Sequence, residues 1–494
     1  MGTFITFPEL LIWLPLLTAI LCFLCRKQKS ASYVALGGSL AILAVALISL
    51  WFTDSAYGAY NTVNYVWLKY LGNSYYVSLD GTGRLLALLT AVSFPVIFIA
   101  TAKNQYKNAP AFFGLMMLSQ CGLMGVFLAK DALLFYFFWE LALIPVYFLC
   151  SRWGGEKRIA ATFKFFVYTF AASLLMLTGI IYVYLHTEPR MFEDGTKALH
   201  SFAMQSFYNA NLSPDEQGWL FWLFFVAFAV KMPVFPFHTW QPDTYDQAPT
   251  SVTMVLSGIM VKMGLFGVIK WLIPLFPMAV GEYSTAVIIL CIIGIIYASC
   301  IAIVQDNLKR LLAYSSIAHV GLMCAAIFSM NELSAQGVMI QMFSHGINII
   351  GLWIVIDAIE KQTGVKNISE LSGIAHKAPV LTIMLVIVAF ANIALPLTNA
   401  FIGEFMMFAG IWKYNTWMAA AAGLSVILSA VYTLKMIQRV FYGDVNMVTE
   451  NMRDISGVRS FGLALIIIMV FIFGVYPQPM IDLTKSAVAA LLGT

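Results

Sequence analysis

The sequence predicts an all-α polytopic membrane protein with fourteen transmembrane helices. Three observations carry that expectation. Of 494 residues, 61% are hydrophobic and only 11% charged, too few charges to cover a water-soluble chain of this size. Apolar runs of about 20 residues, enough to cross a hydrocarbon core of about 30 Å, follow one another with little between them. Two of these runs, five positions apart, are interrupted by proline.

The first run spans 5–25 and contains TFPELLIWLPLLTAILCFLC. No basic segment precedes it and RKQKS follows it, the pattern of a retained helix rather than a cleaved signal. Further runs lie at 31–52, 84–103, 110–129, 132–150 and 163–185. The second half of the chain continues with 218–240, 249–271, 283–303, 311–330, 335–358, 380–412, 416–440 and 459–478. The longest gaps, 53–83 and 186–217, read as polar loops.

Basic residues orient the bundle. Of the 28 lysines and arginines, sixteen fall on the odd-numbered connections and eight on the even-numbered ones and the tail. The odd connections are therefore expected in the cytoplasm and both termini outside. The remaining four, Lys164, Lys231, Lys262 and Lys435, lie within apolar runs.

The seventh run carries Pro233 and Pro236 in VAFAVKMPVFPF, residues 226–237, and the twelfth carries Pro396 in ALPLTNAFIGEF. Proline removes a donor and clashes with the preceding turn. Unwound backbone at membrane depth is tolerated only when buried in protein or lining a wet cavity. Breaks five helices apart imply a five-helix unit that recurs inverted, a plan common among transporters. The predicted organisation is thus residues 1–109 (helices 1–3), 110–271 (helices 4–8), 283–440 (helices 9–13), and 441–494 (helix 14 and tail).

A charged side chain at a helix centre costs about 2.5–3.5 kcal/mol on insertion scales, so each such residue needs a reason. Glu140 lies mid-run in FYFFWELALIPVYFL, Lys231 ends the first half of the seventh run, and Lys262 is central in SGIMVKMGLFG. His319, His345 and Glu404 follow in AYSSIAHVGLM, QMFSHGINIIG and the stretch after the twelfth-run break. Burial disfavours the charged form of a lysine or glutamate, and a neighbouring opposite charge favours it. A Glu140–Lys231 pair that opens and closes is therefore a protonation switch, whereas a permanent pair only fixes helix register. His319 and His345 read either as relay groups, since imidazole titrates near neutrality, or as core histidines. His238 sits beside the first break and reads as an accessory group or a helix-end hydrogen bond. Lys164 and Lys435, near helix ends, read as snorkelling residues, Lys164 also as an accessory group.

The cysteines are scattered and do not form a disulfide framework; Cys22 and Cys25 make a lone C-x-x-C inside the first helix, which reads as packing rather than a metal site.

The stretch VKMPVFPFHTWQPDTYDQAPTSVTMVLSGIMVKMG, with QDNLKRLLAYSSIAHVG, FFWELALIPVYFL, FKFFVYT and NAFIGEF, resembles the antiporter-like membrane subunits of proton-pumping NADH:quinone oxidoreductase, respiratory complex I. The resemblance runs from about Asp80 to Gly443. It is closest to the M-type chains, because Glu404 stands where L-type and N-type chains carry lysine. It implies a proton path in which Glu140 pairs with Lys231, Lys262 is the central relay, His319 and His345 continue the axis, and Glu404 is the distal acceptor. It further implies a bacterial cytoplasmic (inner) membrane with both termini on the periplasmic side. The implied partners are the neighbouring L-type and N-type chains, other membrane-arm subunits and lipid, with no nucleic acid. No cofactor is expected in this chain; FMN, Fe–S clusters and quinone would reside on partners.

Gln241 and Tyr245 in HTWQPDTY depart from the family's HTWLPDAH, and Leu397 in LPLT from its LPGT, which implies a stiffer break. A subunit of a multisubunit Mrp-type sodium/proton antiporter is the alternative. A haem protein with His319 and His345 as axial ligands is a third reading, but it leaves the glutamates and lysines unexplained.

Overall fold

The computed structural model describes residues 5–53, 57–192 and 197–493. Parts of both predicted polar loops, 54–56 and 193–196, lie outside the described residues.

The helices are α1 (Phe7–Leu24), α2 (Gln28–Ile48), α3 (Gly81–Ala100), α4 (Ala109–Leu128), α5 (Ala132–Trp153) and α6 (Arg158–Leu185). A broken pair follows, α7a (Pro214–Lys231) and α7b (Trp240–Gln247). Then come α8 (Thr250–Leu275), α9 (Pro277–Val304), α10 (Leu308–Phe328) and α11 (Glu332–Thr363). A second broken pair, α12a (Pro379–Asn392) and α12b (Asn399–Tyr414), precedes α13 (Thr416–Phe441), α14 (Val458–Val475) and α15 (Gln478–Leu492). Among the described residues, twelve helices rather than fourteen are long and apolar enough to cross a membrane unbroken. The seventh and twelfth predicted spans are the two that split.

The apolar stretches of α8 and α11 are wholly buried, while those of α2 and α14 mostly face outward. Sequence hydropathy cannot make this distinction, because lipid and protein interior are equally apolar. The two central helices therefore carry their polar side chains into the middle of the bundle.

Both breaks follow one backbone pattern. The Val234 amide reaches back to the Ala229 carbonyl (2.9 Å), and the Leu395 amide to the Phe390 carbonyl (3.0 Å). Each bond spans five residues, so a carbonyl between them loses its usual partner. In the first break Trp240 Nε1 donates to the stranded Val230 carbonyl at 2.9 Å. In the second, Asn348 Nδ2 donates to the Ala391 carbonyl (3.1 Å) and Ser344 Oγ to the Asn399 carbonyl (2.9 Å). Leu397 has φ 71° and Ala394 φ 57°, left-handed values that cost a side-chain-bearing residue about 1–2 kcal/mol. The LPLT break, expected to be stiff, carries backbone strain at Leu397 and Ala394. Helix α14 clasps this strained turn: a Cβ on Gly474 would stand 2.2 Å from the Leu397 carbonyl oxygen.

The structure adds three features that hydropathy did not resolve. The predicted polar loops contain structure: an antiparallel hairpin of β1 (Thr62–Leu68) and β2 (Asn73–Ser78), a short pairing of β3 (Arg190–Met191) with β4 (Lys197–Ala198), and a helical turn at Met204–Tyr208. The aromatic and β-branched residues of NYVWL and SYYVS favour strands, but their short apolar runs carry no clear period. The tail after the last span is also not featureless, because α15 packs against α3 and α11. Finally, α8 is not a uniform helix. It contains two π-turns, at Leu256–Met260 and Val268–Leu272. Such turns widen a helix, release carbonyls and are frequent at functional sites.

Asp131 holds the hairpin against the bundle. Its carboxylate caps α5 by accepting from the Leu133 and Leu134 amides (3.1 Å each). It also accepts from Asn73 Nδ2 at 2.6 Å and the Ser74 amide at 3.0 Å. Asp131→Ala removes a cap worth about 1 kcal/mol and strands buried donors costing about 1–3 kcal/mol. A loss of about 2–4 kcal/mol is expected, read as a lower melting temperature of the detergent-solubilised protein. A variant that melts with the parent would show that the hairpin is held elsewhere.

Candidate functional site

The centre of the bundle holds a file of polar side chains. Lys262, on α8, is buried. Its Nζ donates to the Ser257 carbonyl at 2.9 Å, a carbonyl in the first π-turn, and contacts His345 Nδ1 at 2.8 Å. The sequence offered no partner for Lys262; the π-turn and α11 supply two.

His345 on α11 lies 5.6 Å, ring centre to ring centre, from His319 on α10. His319 Nδ1 is 3.2 Å from Glu404 Oε1 on α12b. Gln341 Nε2 donates to the same carboxylate oxygen at 3.2 Å. On the other edge of His319, Nε2 faces Asn392 Nδ2 at 3.4 Å. Asn392, the last residue of α12a, also donates to Ser315 Oγ at 3.4 Å, which is 2.9 Å from the Tyr432 hydroxyl. The structure thus brings Lys262, His345, His319 and Glu404 into one line ending at the α12 break.

The first half of the predicted path is arranged differently. Glu140 on α5 and Lys231 at the end of α7a do not form a hydrogen-bonded ion pair. Glu140 Oε1 and Lys231 Nζ are both buried and unpartnered, and Lys231 Nζ lies 5.6 Å from the Trp139 ring centre. The two charges still act on one another, and Ser173 and Tyr136 are polar neighbours of Glu140. Glu140 and Lys231 thus stand near one another without direct contact, and an uncompensated charge in a low-dielectric site is costly.

Several site residues escaped the sequence reading. Gln341, Ser344 and Asn348 join the expected His345 in one stripe on α11, all buried. Their spacing of three, four and seven residues is a helical polar face, legible in QMFSHGIN but masked by the apolar residues around it. Asn392 and Tyr432 left no such periodic signal. The departures Gln241 and Tyr245 on α7b are completely buried. Both amide atoms of Gln241 and the Tyr245 hydroxyl lack partners, as does Nε1 of Trp353 on α11, whose ring is 5.9 Å from that of Tyr245.

The accessory residues resolve individually. His238, beside Pro236, has its ring against Tyr297 at 5.3 Å and a buried Nδ1 without a partner, so the expected helix-end hydrogen bond is not made there. Lys164 does not snorkel: its Nζ is 2.7 Å from Asp243 Oδ2, and Arg310 Nη1 holds the other Asp243 oxygen at 2.8 Å. Lys435 likewise turns inward and donates to the Ile303 carbonyl at 2.7 Å, where a cation meets the negative end of α9. A cavity of about 730 Å3 opens beneath α7b and is lined by Asp246, Lys309, Asp357, Glu360 and Lys366 among others. Asp246 is paired there with Lys366 at 2.6 Å.

Chemically, the file offers an ammonium donor against an imidazole acceptor, a second imidazole, and a carboxylate. Each neighbour can take the proton that the previous group releases. The two imidazole rings are in direct contact and have nitrogens committed to Lys262 and Glu404, which leaves no gap between them for a haem plane.

The chain was compared with known proteins. The family described as "NADH:quinone oxidoreductase/Mrp antiporter, TM" matches residues 129–429. NADH-quinone oxidoreductase subunit M of Rickettsia prowazekii is 36% identical over 493 residues, covering 97% of each chain. F(420)H(2) dehydrogenase subunit M of Methanosarcina mazei is 33% identical over 481 residues, covering 96% of each. Among solved structures, a chain of respiratory complex I from Thermus thermophilus with bound NADH superposes with a TM-score of 0.88 at 26% identity, over 98% of this chain and 99% of that one. A chain of the Mrp complex from Dietzia sp. superposes with a TM-score of 0.85 at 18% identity, over 98% and 97%.

Proposed function

Because the chain belongs to the NADH:quinone oxidoreductase/Mrp antiporter family of transmembrane proteins, we propose that it is the proton-translocating, antiporter-like M-type subunit of a respiratory complex I. The observation that carries this reading is the file Lys262–His345–His319–Glu404, set between two broken helices. In it, Lys262 Nζ passes a proton to His345 Nδ1. His345 releases one from Nε2, which has no protein partner, to His319 Nε2 by way of a water and a turn of Asn392 away from that nitrogen, and His319 Nδ1 delivers one to Glu404. The Glu140–Lys231 pair acts on this file through charge: as it closes, Lys231 is neutralised and Lys262 better retains its own proton, and as it opens Lys262 is driven to release.

The chain contributes to an enzyme complex whose redox chemistry belongs to partner subunits. FMN, Fe–S clusters and quinone are assigned to those partners, and the adjoining membrane subunits to L-type and N-type relatives. The membrane is assigned as the bacterial cytoplasmic membrane, with both termini outside, on the excess of basic residues in the odd connections. A subunit of a sodium/proton antiporter is the second reading, favoured by the shared fold of the Mrp chain. Glu404 in place of a lysine, and the lack of clustered intramembrane carboxylates to ligate sodium among the described residues, weigh against it.

Reconstitution decides between them. The complex assembled with this chain is expected to move more protons per electron than the same complex lacking it. Equal ratios would sink the assignment, and sodium flux from the purified chain alone in liposomes would favour the antiporter.

A further inference from the structure

Arg84, near the start of α3, is buried. Its Nη1 donates to the Ser49 carbonyl at 2.9 Å, and its Nη2 to Asn61 Oδ1 at 2.8 Å and the Leu79 carbonyl at 3.4 Å. All three acceptors are neutral, and among the described residues no carboxylate is in ion-pair contact with the guanidinium. Asp80 acts on Arg84 through charge but is already shared. Its Oδ2 is paired with Lys130 and with Lys270 of α8 at 2.7 Å, and its Oδ1 caps α3 through the Gly83 amide at 2.8 Å. One carboxylate thus serves two lysines and an arginine, which leaves two positive charges in excess. A buried cation without a counter-charge is costly, so an anion placed against Arg84 would stabilise this end of the bundle.

Arg84 also lines a cavity of about 680 Å3, a volume within the ~300–1,000 Å3 of small-molecule sites. On α3 the wall runs through Gly81, Arg84, Leu85 and Leu88. That spacing keeps to one helix face and sets Leu88 about 6 Å deeper than Arg84. Thr53, Asp482 and Ser486 make the rim, and all three are exposed. Asp482 accepts from Gln478 Nε2 at 2.8 Å, and its charge at the rim is screened by water. The inner wall is apolar. Leu85 and Leu88 meet Phe343 of α11 and Phe473 of α14 there, whose rings are 5.3 Å apart. Polar rim, buried cation and apolar floor follow one another in the order of a phospholipid: charge at the interface, hydrocarbon below.

We propose that this cavity holds one anionic phospholipid, its phosphate on Arg84 and an acyl chain against Leu85, Leu88, Phe343 and Phe473. Arginine binds phosphate through charge-assisted hydrogen bonds, and basic pockets between membrane helices take anionic headgroups. A free phosphate would leave the apolar wall uncovered. A zwitterionic lipid would bring a second cation towards a group already in positive excess. Bound there, the lipid ties α15 and α14 to the start of α3. The site requires only that the chain spans a membrane, and it stands whether or not the chain moves protons.

The test is photolabelling of the delipidated, assembled complex with a phosphatidylglycerol that carries a diazirine in one acyl chain, read as labelled residues of this chain. Label is expected at Leu85 and Phe343, which are 0% and 1% exposed, so that lipid around the outside of the bundle does not reach them. Unlabelled phosphatidylglycerol is expected to compete about fivefold better than phosphatidylcholine, the factor set by about 1 kcal/mol per basic residue at a membrane surface. Inorganic phosphate is expected not to compete. Leu88→Trp, which fills the floor without touching a charge, is expected to abolish the label and leave electron transfer from NADH to quinone unchanged. Arg84→Gln is expected to erase the preference for phosphatidylglycerol. Leu88→Trp keeps the Arg84 hydrogen bonds and so reads the cavity even if Arg84→Gln does not assemble. Label confined to outward-facing residues such as Leu40 and Ile468 would overturn the site, as would label at Leu85 that survives in Leu88→Trp. Equal competition by phosphatidylcholine would overturn the anionic headgroup, and competition by inorganic phosphate would overturn the lipid.

Discussion

Lys262→Met is expected to abolish proton translocation through this subunit while leaving NADH oxidation by the peripheral cofactors intact. Methionine nearly matches the lysine stem in volume and flexibility, so the packing of α8 is preserved. What disappears is the ammonium in contact with both the Ser257 carbonyl and His345. Without it, His345 Nδ1 has no donor on the α8 side and the file begins at a ring with no proton supply. Lys262→Arg keeps the charge but cannot release a proton, since guanidinium stays protonated in proteins, and is expected to fail as completely. The two variants together separate charge from proton transfer. The ratio of protons moved to electrons transferred, from dye quenching in proteoliposomes, is the measurement. A parental ratio in either variant would remove Lys262 from the path.

The second large effect concerns Glu140 and Lys231. Lys231 is buried and Glu140 half-buried, each with a buried polar atom that lacks a partner, so each depends on the other's charge at a distance. Lys231→Met leaves Glu140 as an uncompensated charge, and Glu140→Gln leaves Lys231 in the same state. Removing one member of a buried pair costs about 3–5 kcal/mol, whereas removing both is often nearly neutral. Because this pair is not in contact, the lower end of that range is expected for each single variant, with most of the loss recovered in the double variant. Translocation is expected to be lost in all three, since the double variant restores stability but not the switch. Thermal denaturation in detergent measures the first effect and the proton-to-electron ratio the second. Additive destabilisation in the double variant would show that the two charges do not interact. Normal pumping in the double variant would leave the pair a static structural element.

How much of this was legible in the sequence depends on the kind of signal. The relay candidates were legible because each is an ionisable residue inside an apolar run, where insertion is expensive. Gln341, Asn348 and Asn392 were not, because a neutral amide in a long apolar helix costs less and stands out less. The hairpin β1–β2 was lost in a window suited to helices, and α15 because its two faces average to an unremarkable hydropathy. The two π-turns have no known residue signature in SGIMVKMG or VIKWL, yet the first provides the Ser257 carbonyl that holds Lys262.

The sequence by itself determined the class, the order of the helices, the places where two of them break and the identities of the buried charges. These follow from local chemistry: the length of an apolar run, the missing amide of proline and the cost of a charge in hydrocarbon. Only the tertiary structure decided which charges meet. It joined Lys262 to His345 and His319 to Glu404, and it held Glu140 and Lys231 apart. It also placed Lys164 on Asp243 and both Lys130 and Lys270 on Asp80. Contacts between residues 50 to 190 positions apart depend on how the helices are buried among their neighbours. That burial is invisible to hydropathy, because in a membrane the outside of the bundle is as apolar as its core.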